Sequence, residues 1–135
     1  MDTDPCPCGS LDVFDACCGR YVGPDGVAAP TAEALMRSRY TAFVRGDVEH
    51  LLRTWHPDTR PTALELDPSV RWTGLDVLDR AGGGLFDTEG VVEFRAHHRE
   101  RGRSEVQHER SRFVRDAGRW VYVDGVVGTS RSTSP

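Results

Sequence analysis

The sequence predicts an α+β fold with a cysteine-rich N-terminal segment, and three observations support that prediction. A stretch with helical periodicity comes first, and three long strand-like segments separated by turn residues follow it. All four cysteines precede both regions, between positions 6 and 18. Helices followed by an antiparallel meander are typical of α+β domains, in which the helices cover one face of the sheet.

The length and composition indicate one domain with one hydrophobic core. The chain has 135 residues, of which 38% are hydrophobic and 28% charged, an ordinary globular balance. We predict a cysteine knuckle and linker over residues 1–29, an α+β domain over residues 30–126, and a disordered tail over residues 127–135.

The first predicted helix has a start signal and a stop signal. Thr31 follows a proline and is a suitable N-cap, and Met36, Tyr40 and Phe43 then fall at i, i+4 and i+7 on one helical face. Gly46-Asp47 reads as the end of this helix and the cap of the next.

Strand-like segments dominate the rest of the chain after a second short helix over residues 48–55. Branched and aromatic residues indicate the strands, and glycines mark the turns at Gly102 and at Ala117-Gly118. The predicted strands cover residues 63–66, 70–78, 91–101, 104–115 and 119–125.

The cysteine spacing, C-x-C followed after eight residues by C-C, indicates a zinc site. Two disulfides between such close pairs would violate the geometry that the bond requires, whereas tetrahedral zinc takes four thiolates from a short loop. The predicted ligands are Cys6, Cys8, Cys17 and Cys18. A structural role is expected because four thiolates leave no position for water. Reduced or partly oxidised cysteines without an ion, or a redox-active pair, remain the alternatives.

Charge and hydropathy restrict the partners and the compartment. No apolar run approaches the ~20 residues that span a membrane, and the acidic start lacks the features of a signal peptide, so we expect a cytoplasmic protein. The net charge is −4, which does not favour nucleic acid. An arginine-rich hairpin over residues 95–119 leaves that possibility open, although its interleaved acidic residues favour a solvated, salt-bridged face.

Strand alternation predicts a group of polar and aromatic side chains on the core side of the sheet. His98 shares a face with Phe94, and Glu109 and Ser111 share one with Phe113. The other predicted members of this pocket are Arg39, Tyr40, Trp55 and Trp72. His98 and Glu109 would form a general acid/base pair if they met there. The favoured interpretation is that Glu109 forms a buried ion pair, with Arg39 for example.

Two resemblances follow from these motifs. The stretch CPCGS…CCG resembles the SEC-C motif, a small zinc knuckle known from the tail of the bacterial preprotein-translocase ATPase, where it contacts a chaperone. In that family the interior is usually rich in glycine and lysine, whereas here it reads LDVFDA. The resemblance implies zinc binding, but the basic character behind an inherited interaction is missing.

The segments ALMRSRYTAFVRGD, TWHP and HERSRFVRDAGRWVYVDG resemble the YchJ-like (UPF0225) family over nearly the whole chain. That resemblance implies a nuclear transport factor 2-like domain, a curved antiparallel sheet wrapped around helices to form a cone. Related folds include enzymes as well as binding proteins, so the fold alone does not decide the activity.

Two functions therefore remain. The favoured one is a non-enzymatic module in which the knuckle and the cone recognise a protein or ribonucleoprotein partner. The alternative is a small-molecule-binding protein or acid/base enzyme that uses the cone pocket, with the zinc knuckle purely structural. A homodimer through the open sheet face is compatible with both.

Overall fold

The computed structural model describes residues 4–23 and 25–127, and in them two α-helices precede a four-stranded antiparallel sheet. The helices are α1 (Ala32–Arg45) and α2 (Val48–Arg53). The strands, which lie in sequence order across the sheet, are β1 (Val70–Gly82), β2 (Glu89–Glu100), β3 (Arg103–Asp116) and β4 (Arg119–Val127). The predicted α+β class and the order of helices before meander are confirmed. Residues 128–135 of the predicted tail lie outside the described residues.

The predicted helix caps are formed by the residues that the sequence indicated. The Thr31 hydroxyl accepts a hydrogen bond from the Ala34 N–H at 3.1 Å, and the Asp47 carboxylate accepts one from the His50 N–H at 3.1 Å. Gly46 ends α1 with a φ of 72°, in the left-handed region that favours glycine. These caps set the start of α1 and the boundary between the two helices.

Helix α2 ends two residues earlier than predicted because β4 binds the backbone that follows it. The Tyr122 N–H donates to the Thr54 carbonyl at 2.8 Å, and the Tyr122 carbonyl accepts from the His56 N–H at 2.7 Å. Trp55 lies between them in an isolated parallel bridge with Tyr122. This pairing holds Trp55 against β4.

The predicted strand over residues 63–66 is wrong. This segment has no regular secondary structure, and β1 at the sheet edge begins only at Val70. Prolines at positions 61 and 68 flank it, and each lacks the backbone N–H that a strand would donate. The composition of residues 63–66 favours a strand, but a strand also needs a neighbouring strand with which to pair.

Two tight turns connect the long strands, as predicted. Arg101 and Gly102 have φ values of 55° and 81°, and Ala117 and Gly118 have φ values of 52° and 82°. Positive φ at both central residues is the pattern of two-residue hairpin loops whose twist matches that of the strands.

The sheet bends around α1. Register shifts between Trp72 and Gly74 and between Val77 and Asp79 interrupt the pairing of β1 with β2, and such bulges bend a strand and increase its twist. The concave face packs Val92, Phe113 and Trp120 against the buried face of α1; the helix residues in this core are Ala32, Leu35 and Met36.

The outer face of the sheet is charged and paired. Arg112 donates two hydrogen bonds of 2.8 Å to Asp124, and Arg110 contacts Glu93 at 3.1 Å. Such exposed pairs add little stability, but they give this face mixed charge instead of a continuous basic stripe. Neither helix of the described part of the chain combines the length and apolar character that crossing a bilayer requires.

Candidate metal centre and cone pocket

The four cysteine sulfurs converge. One Sγ from each of Cys6, Cys8, Cys17 and Cys18 lies within 4.8 Å of all the others, and the Cys8 and Cys17 sulfurs are 3.6 Å apart. Four thiolates at the usual Zn–S length of about 2.3 Å stand about 3.8 Å from one another in a tetrahedron. The cluster therefore has the size and donor type of a site that could hold a metal ion such as zinc.

Local backbone contacts close the loop that carries these cysteines, which we call the knuckle (residues 4–20). An isolated antiparallel bridge joins Pro5 to Val13, and the Cys6 N–H donates to the Asp12 carbonyl at 2.8 Å. Gly9 turns the chain with a φ of 82°. Two short 3₁₀ turns follow, Phe14–Ala16 and Cys18–Arg20. Cys17 lies between them, and Cys18 is the first residue of the second. These contacts join residues that are close in the sequence, so the knuckle is a local structural motif.

Burial and hydrogen bonds within the cluster shift the pKa values of Cys8, Cys17 and Cys18 in different directions. Hydrogen bonds from Cys18, Ser10 and Cys17 lower the pKa of Cys8 to about 4 against the opposing effect of burial. The hydrogen bond to Cys8, together with burial, raises the pKa of Cys18, and burial raises the pKa of Cys17. The Cys8 thiolate thus forms readily, whereas Cys17 and Cys18 hold their protons more tightly, and a bound cation would favour their ionised forms.

The knuckle packs into the core of the domain. Arg37 of α1 donates a 2.9 Å hydrogen bond to the Cys8 carbonyl, and the Cys6 sulfur lies 3.8 Å from the Thr41 hydroxyl. The four cysteines form one buried cluster with Phe14, Tyr40 and Ala96. The knuckle is therefore continuous with α1 and β2.

A cavity of about 190 Å³ lies in the cone, between α1 and the concave face of the sheet. Six of the seven predicted pocket residues line it. These are Arg39, Tyr40, Trp55, Trp72, Glu109 and Ser111. The other lining residues are Met36, Phe43, Phe94, Ala96, Gln107, Phe113 and Tyr122. The wall is thus mostly apolar, with one cation and one anion.

Arg39 is the buried cation of this cavity, with 6% of its surface exposed. Its Nη1 donates to the Leu51 carbonyl at 2.8 Å and to the Thr54 hydroxyl at 2.7 Å. The guanidinium lies over the rings of Trp55 and Tyr122, with centroid distances of 5.1 and 4.6 Å. Burial lowers the pKa of Arg39 to about 10, so the group is still a cation at neutral pH.

Glu109 accepts its hydrogen bonds from neutral donors. The Ser111 hydroxyl donates at 2.6 Å, the Gln107 amide at 3.0 Å and the Tyr122 hydroxyl at 3.4 Å. The favoured ion pair between Glu109 and Arg39 is absent from the contacts of these two described residues. Gly125 packs directly against Glu109, because a Cβ at position 125 would overlap the carboxylate and the Glu109 side chain would have to move.

His98 does not line the cavity, so the predicted acid/base pair with Glu109 is not formed. His98 pairs across the strands with Glu105, whereas Glu109 pairs with Phe94, four residues before His98 in β2. The imidazole contacts the Trp72 ring in a tilted arrangement, with centroids 5.0 Å apart, and its Nε2 lies 3.3 Å from a Glu105 oxygen. Strand alternation predicted the correct face of the sheet for His98, but not its position along β2 relative to the cavity.

Sequence reasoning missed three polar contributors. The Tyr122 hydroxyl reaches Glu109, and its ring lies under the guanidinium of Arg39. Gln107 alternates with Glu109 on β3, so the same period-two pattern could have identified it. The Ser10 hydroxyl lies 3.0 Å from the Cys17 sulfur, a contact that no periodic pattern in the sequence indicates.

Comparison with known proteins decides the family. Residues 31–125 match the family model described as YchJ, middle NTF2-like domain, and residues 3–20 match the SEC-C motif. A UPF0225 protein of Streptomyces coelicolor is 61% identical, an alignment that covers 93% of this chain and 97% of the relative. This chain belongs to the UPF0225 family. A second UPF0225 protein, from Chromobacterium violaceum, is 54% identical over 90% of this chain and 92% of its own length.

Two solved structures share the fold of this UPF0225 chain. The solution structure of a SEC-C motif containing protein from Rhodopseudomonas palustris matches with a TM-score of 0.79 and 32% identity, covering 95% of this chain and 99% of that one. The crystal structure of a SEC-C motif containing protein from Psychrobacter arcticus matches with a TM-score of 0.75 and 27% identity, covering 94% and 84%. The combination of knuckle and cone domain is therefore shared with both.

Proposed function

We propose that this UPF0225 protein binds a small molecule in the cone cavity and that the knuckle is a structural zinc clip. The observation that carries the proposal is the cavity of about 190 Å³, in which a buried arginine and a glutamate share an otherwise largely apolar wall. Apolar cavities with a few convergent polar groups are the usual form of small-ligand sites.

The volume of the cavity suits a ligand with one ring. An apolar protein cavity of about 150 Å³ takes up benzene, and the cone cavity is slightly larger. Phe43, Trp72 and Phe94 line it and would contact such a ring. Aromatic side chains supply large contact areas at low conformational cost.

Binding without catalysis is the favoured activity. A general acid or base has to lie within hydrogen-bond reach of the reacting group, and no histidine belongs to the described lining of the cavity. Glu109 is held by three neutral donors. These contacts favour a fixed hydrogen-bond acceptor over a base that exchanges protons.

The knuckle fits a structural metal site. All four cysteines are buried, and a site with four thiolate ligands leaves no open position for water or substrate. Zinc supplies the positive charge that keeps four adjacent thiolates ionised. The reducing cytoplasm, which we propose as the compartment, would keep these cysteines available as thiols.

Fragment binding tests the pocket. Trp55 and Trp72 line the cavity, so we expect single-ring fragments to change the tryptophan fluorescence of the wild-type protein. Ala96→Leu places a larger side chain in the same cavity and should abolish the change, whereas Arg95→Leu on the exposed face of β2 should retain it. Equal binding by both variants, or no binding of any fragment by the wild type, would overturn the proposed function.

Metal analysis tests the clip. Protein purified without chelator should contain about one zinc per chain, and Cys18→Ser should reduce that content sharply because a buried ligand is lost. Ser104→Ala, on the exposed start of β3, is the control and should bind zinc as the wild type does. A zinc content near zero in reduced wild-type protein contradicts the clip.

A second candidate function is recognition of a protein partner by the knuckle. The observation that favours it is Leu11, which is 95% exposed and has a φ of 77°, so the knuckle holds a large apolar side chain in solvent. Affinity capture with wild type and Leu11→Asp tests this function. A partner retained by the wild type and lost by the zinc-loaded variant supports it, and equal capture by both contradicts it.

A further inference from the structure

We propose that the ligand of the cone cavity is a small monocarboxylate whose carboxylate pairs with Arg39 and whose hydrocarbon body contacts the aromatic wall. This inference rests on the proposed pocket function and adds the chemical class of the ligand. Arg39, Glu109 and Trp55 carry this inference, through the hydrogen bonds that they form and the donors that have no partner among the described residues.

Arg39 has an unused hydrogen-bonding edge. Both of its hydrogen bonds to described residues come from Nη1, and both acceptors, the Leu51 carbonyl and the Thr54 hydroxyl, are neutral. Its Nε and Nη2 make no hydrogen bond with the residues that the structure describes. Buried cations are normally paired with anions, and a carboxylate matches the planar fork of a guanidinium with two parallel hydrogen bonds.

Two aromatic rings hold the guanidinium in place. Trp55 and Tyr122 contact it through their faces, and their own rings meet edge to face at 5.2 Å. A stacked guanidinium is fixed in orientation before a ligand arrives, so less freedom is lost on binding. Trp55 adds a second donor, because its indole Nε1 is buried and has no hydrogen-bond partner among the described residues.

Glu109 restricts the charge of the ligand. Its carboxylate lies in the same cavity but is occupied by Ser111, Gln107 and Tyr122, and it forms no ion pair with Arg39 within the described chain. A second negative charge close to Glu109 is repelled. The cavity therefore suits a single carboxylate better than a dianion such as a phosphate monoester.

The test compares ligands of equal size and different charge. Benzoate, benzamide, benzyl alcohol and benzylamine are titrated into zinc-loaded wild-type protein, with tryptophan fluorescence and isothermal calorimetry as readouts. We expect benzoate to bind most tightly, by at least about tenfold over benzyl alcohol, as a charge-assisted hydrogen bond provides. A preference for benzylamine, benzamide or benzyl alcohol overturns the carboxylate and leaves the pocket function standing.

Matched variants locate the carboxylate. Arg39→Lys keeps the charge but removes the fork, and it should weaken benzoate binding by about tenfold or more. Arg95→Lys makes the same change on the exposed face of β2 and should have no effect. Glu109→Gln removes the opposing charge and should strengthen benzoate binding.

The variants also separate the two proposals. Unchanged or weaker benzoate binding by Glu109→Gln overturns the inference even if Arg39→Lys fails to fold. Benzoate binding that Arg39→Lys leaves intact places the ligand elsewhere and overturns it as well. If none of the four probes binds the wild type while larger fragments still do, only the inference fails; if no fragment binds, the pocket function fails with it.

Discussion

His50 of α2 is buried against α1, and its contacts determine which ring nitrogen carries the proton. The Ser38 hydroxyl donates to the Leu35 carbonyl at 2.8 Å, so its oxygen must accept from Nε2–H of His50 at 2.9 Å. Nδ1 is then the acceptor for Arg53, 3.2 Å away. Protonation of Nδ1 would bring a second positive charge against that guanidinium.

Stability should therefore depend on pH through His50. Burial, reinforced by Arg53, lowers the pKa of His50 to about 4, whereas the unfolded chain titrates near 6.5. The unfolded state binds the extra proton between these values, so the contribution is complete above pH 6.5 and is lost as the pH falls to about 4. We expect a loss on the order of 3 kcal/mol at most.

Chemical denaturation of wild type and His50→Gln between pH 4 and 7 measures this contribution. The wild type should lose more stability than the variant as the pH falls. His97→Gln, on the outer face of the sheet, is the control and should follow the wild type. Parallel curves for wild type and His50→Gln would contradict the assignment.

At the scale of the element, the caps of α1 explain why this helix could be predicted from sequence. Thr31 and Gly46 act through contacts within a few residues, so their effect is visible in the sequence without knowledge of the fold. The end of α2 depended instead on β4, whose Tyr122 binds the backbone of Thr54 and His56. That information lies almost 70 residues away in the sequence, and no pattern local to α2 contains it.

Thr31→Ala should destabilise the protein by about 1 kcal/mol, because the Ala34 N–H loses its side-chain acceptor. Thr88→Ala, at an exposed loop position, removes the same atoms without a cap and should have little effect. Urea denaturation of the two variants gives the comparison. A smaller loss for Thr31→Ala than for Thr88→Ala would show that the cap does not contribute.

In the candidate site, too, the features that depend on residues close in sequence could be predicted, and those that depend on strand register could not. The four cysteines are close in sequence, so their spacing alone predicted that they converge. Period-two alternation placed Glu109 and Ser111 on the cavity face. It could not exclude His98, because the position of a residue along the cone depends on strand register and on the bulges of β1.

At the scale of the whole molecule, the knuckle and the cone domain share one core. Cys6, Cys8, Cys17 and Cys18 pack in a single cluster with Tyr40 of α1 and Ala96 of β2. If the knuckle holds zinc as proposed, loss of the metal would leave several like charges or unpaired thiols inside that cluster. The two parts are therefore expected to unfold together.

Metal removal tests this coupling. We expect a strong chelator to lower the Tm of the zinc-loaded protein by at least about 5 °C, with one transition seen by both tryptophan fluorescence and far-ultraviolet circular dichroism. The same chelator saturated with zinc is the control. An unchanged Tm after the zinc has left would show that the knuckle is a separate appendage.

The short reach of the knuckle also has a consequence for synthesis. Its ligands and its internal hydrogen bonds all lie within residues 4–20, so closing the loop costs little chain entropy and needs no later residue. Ala96 of β2, which packs against the cysteines, is synthesised almost 80 residues after Cys18. If the knuckle binds zinc as proposed, a nascent chain can take up the metal first and present a folded surface to the growing sheet.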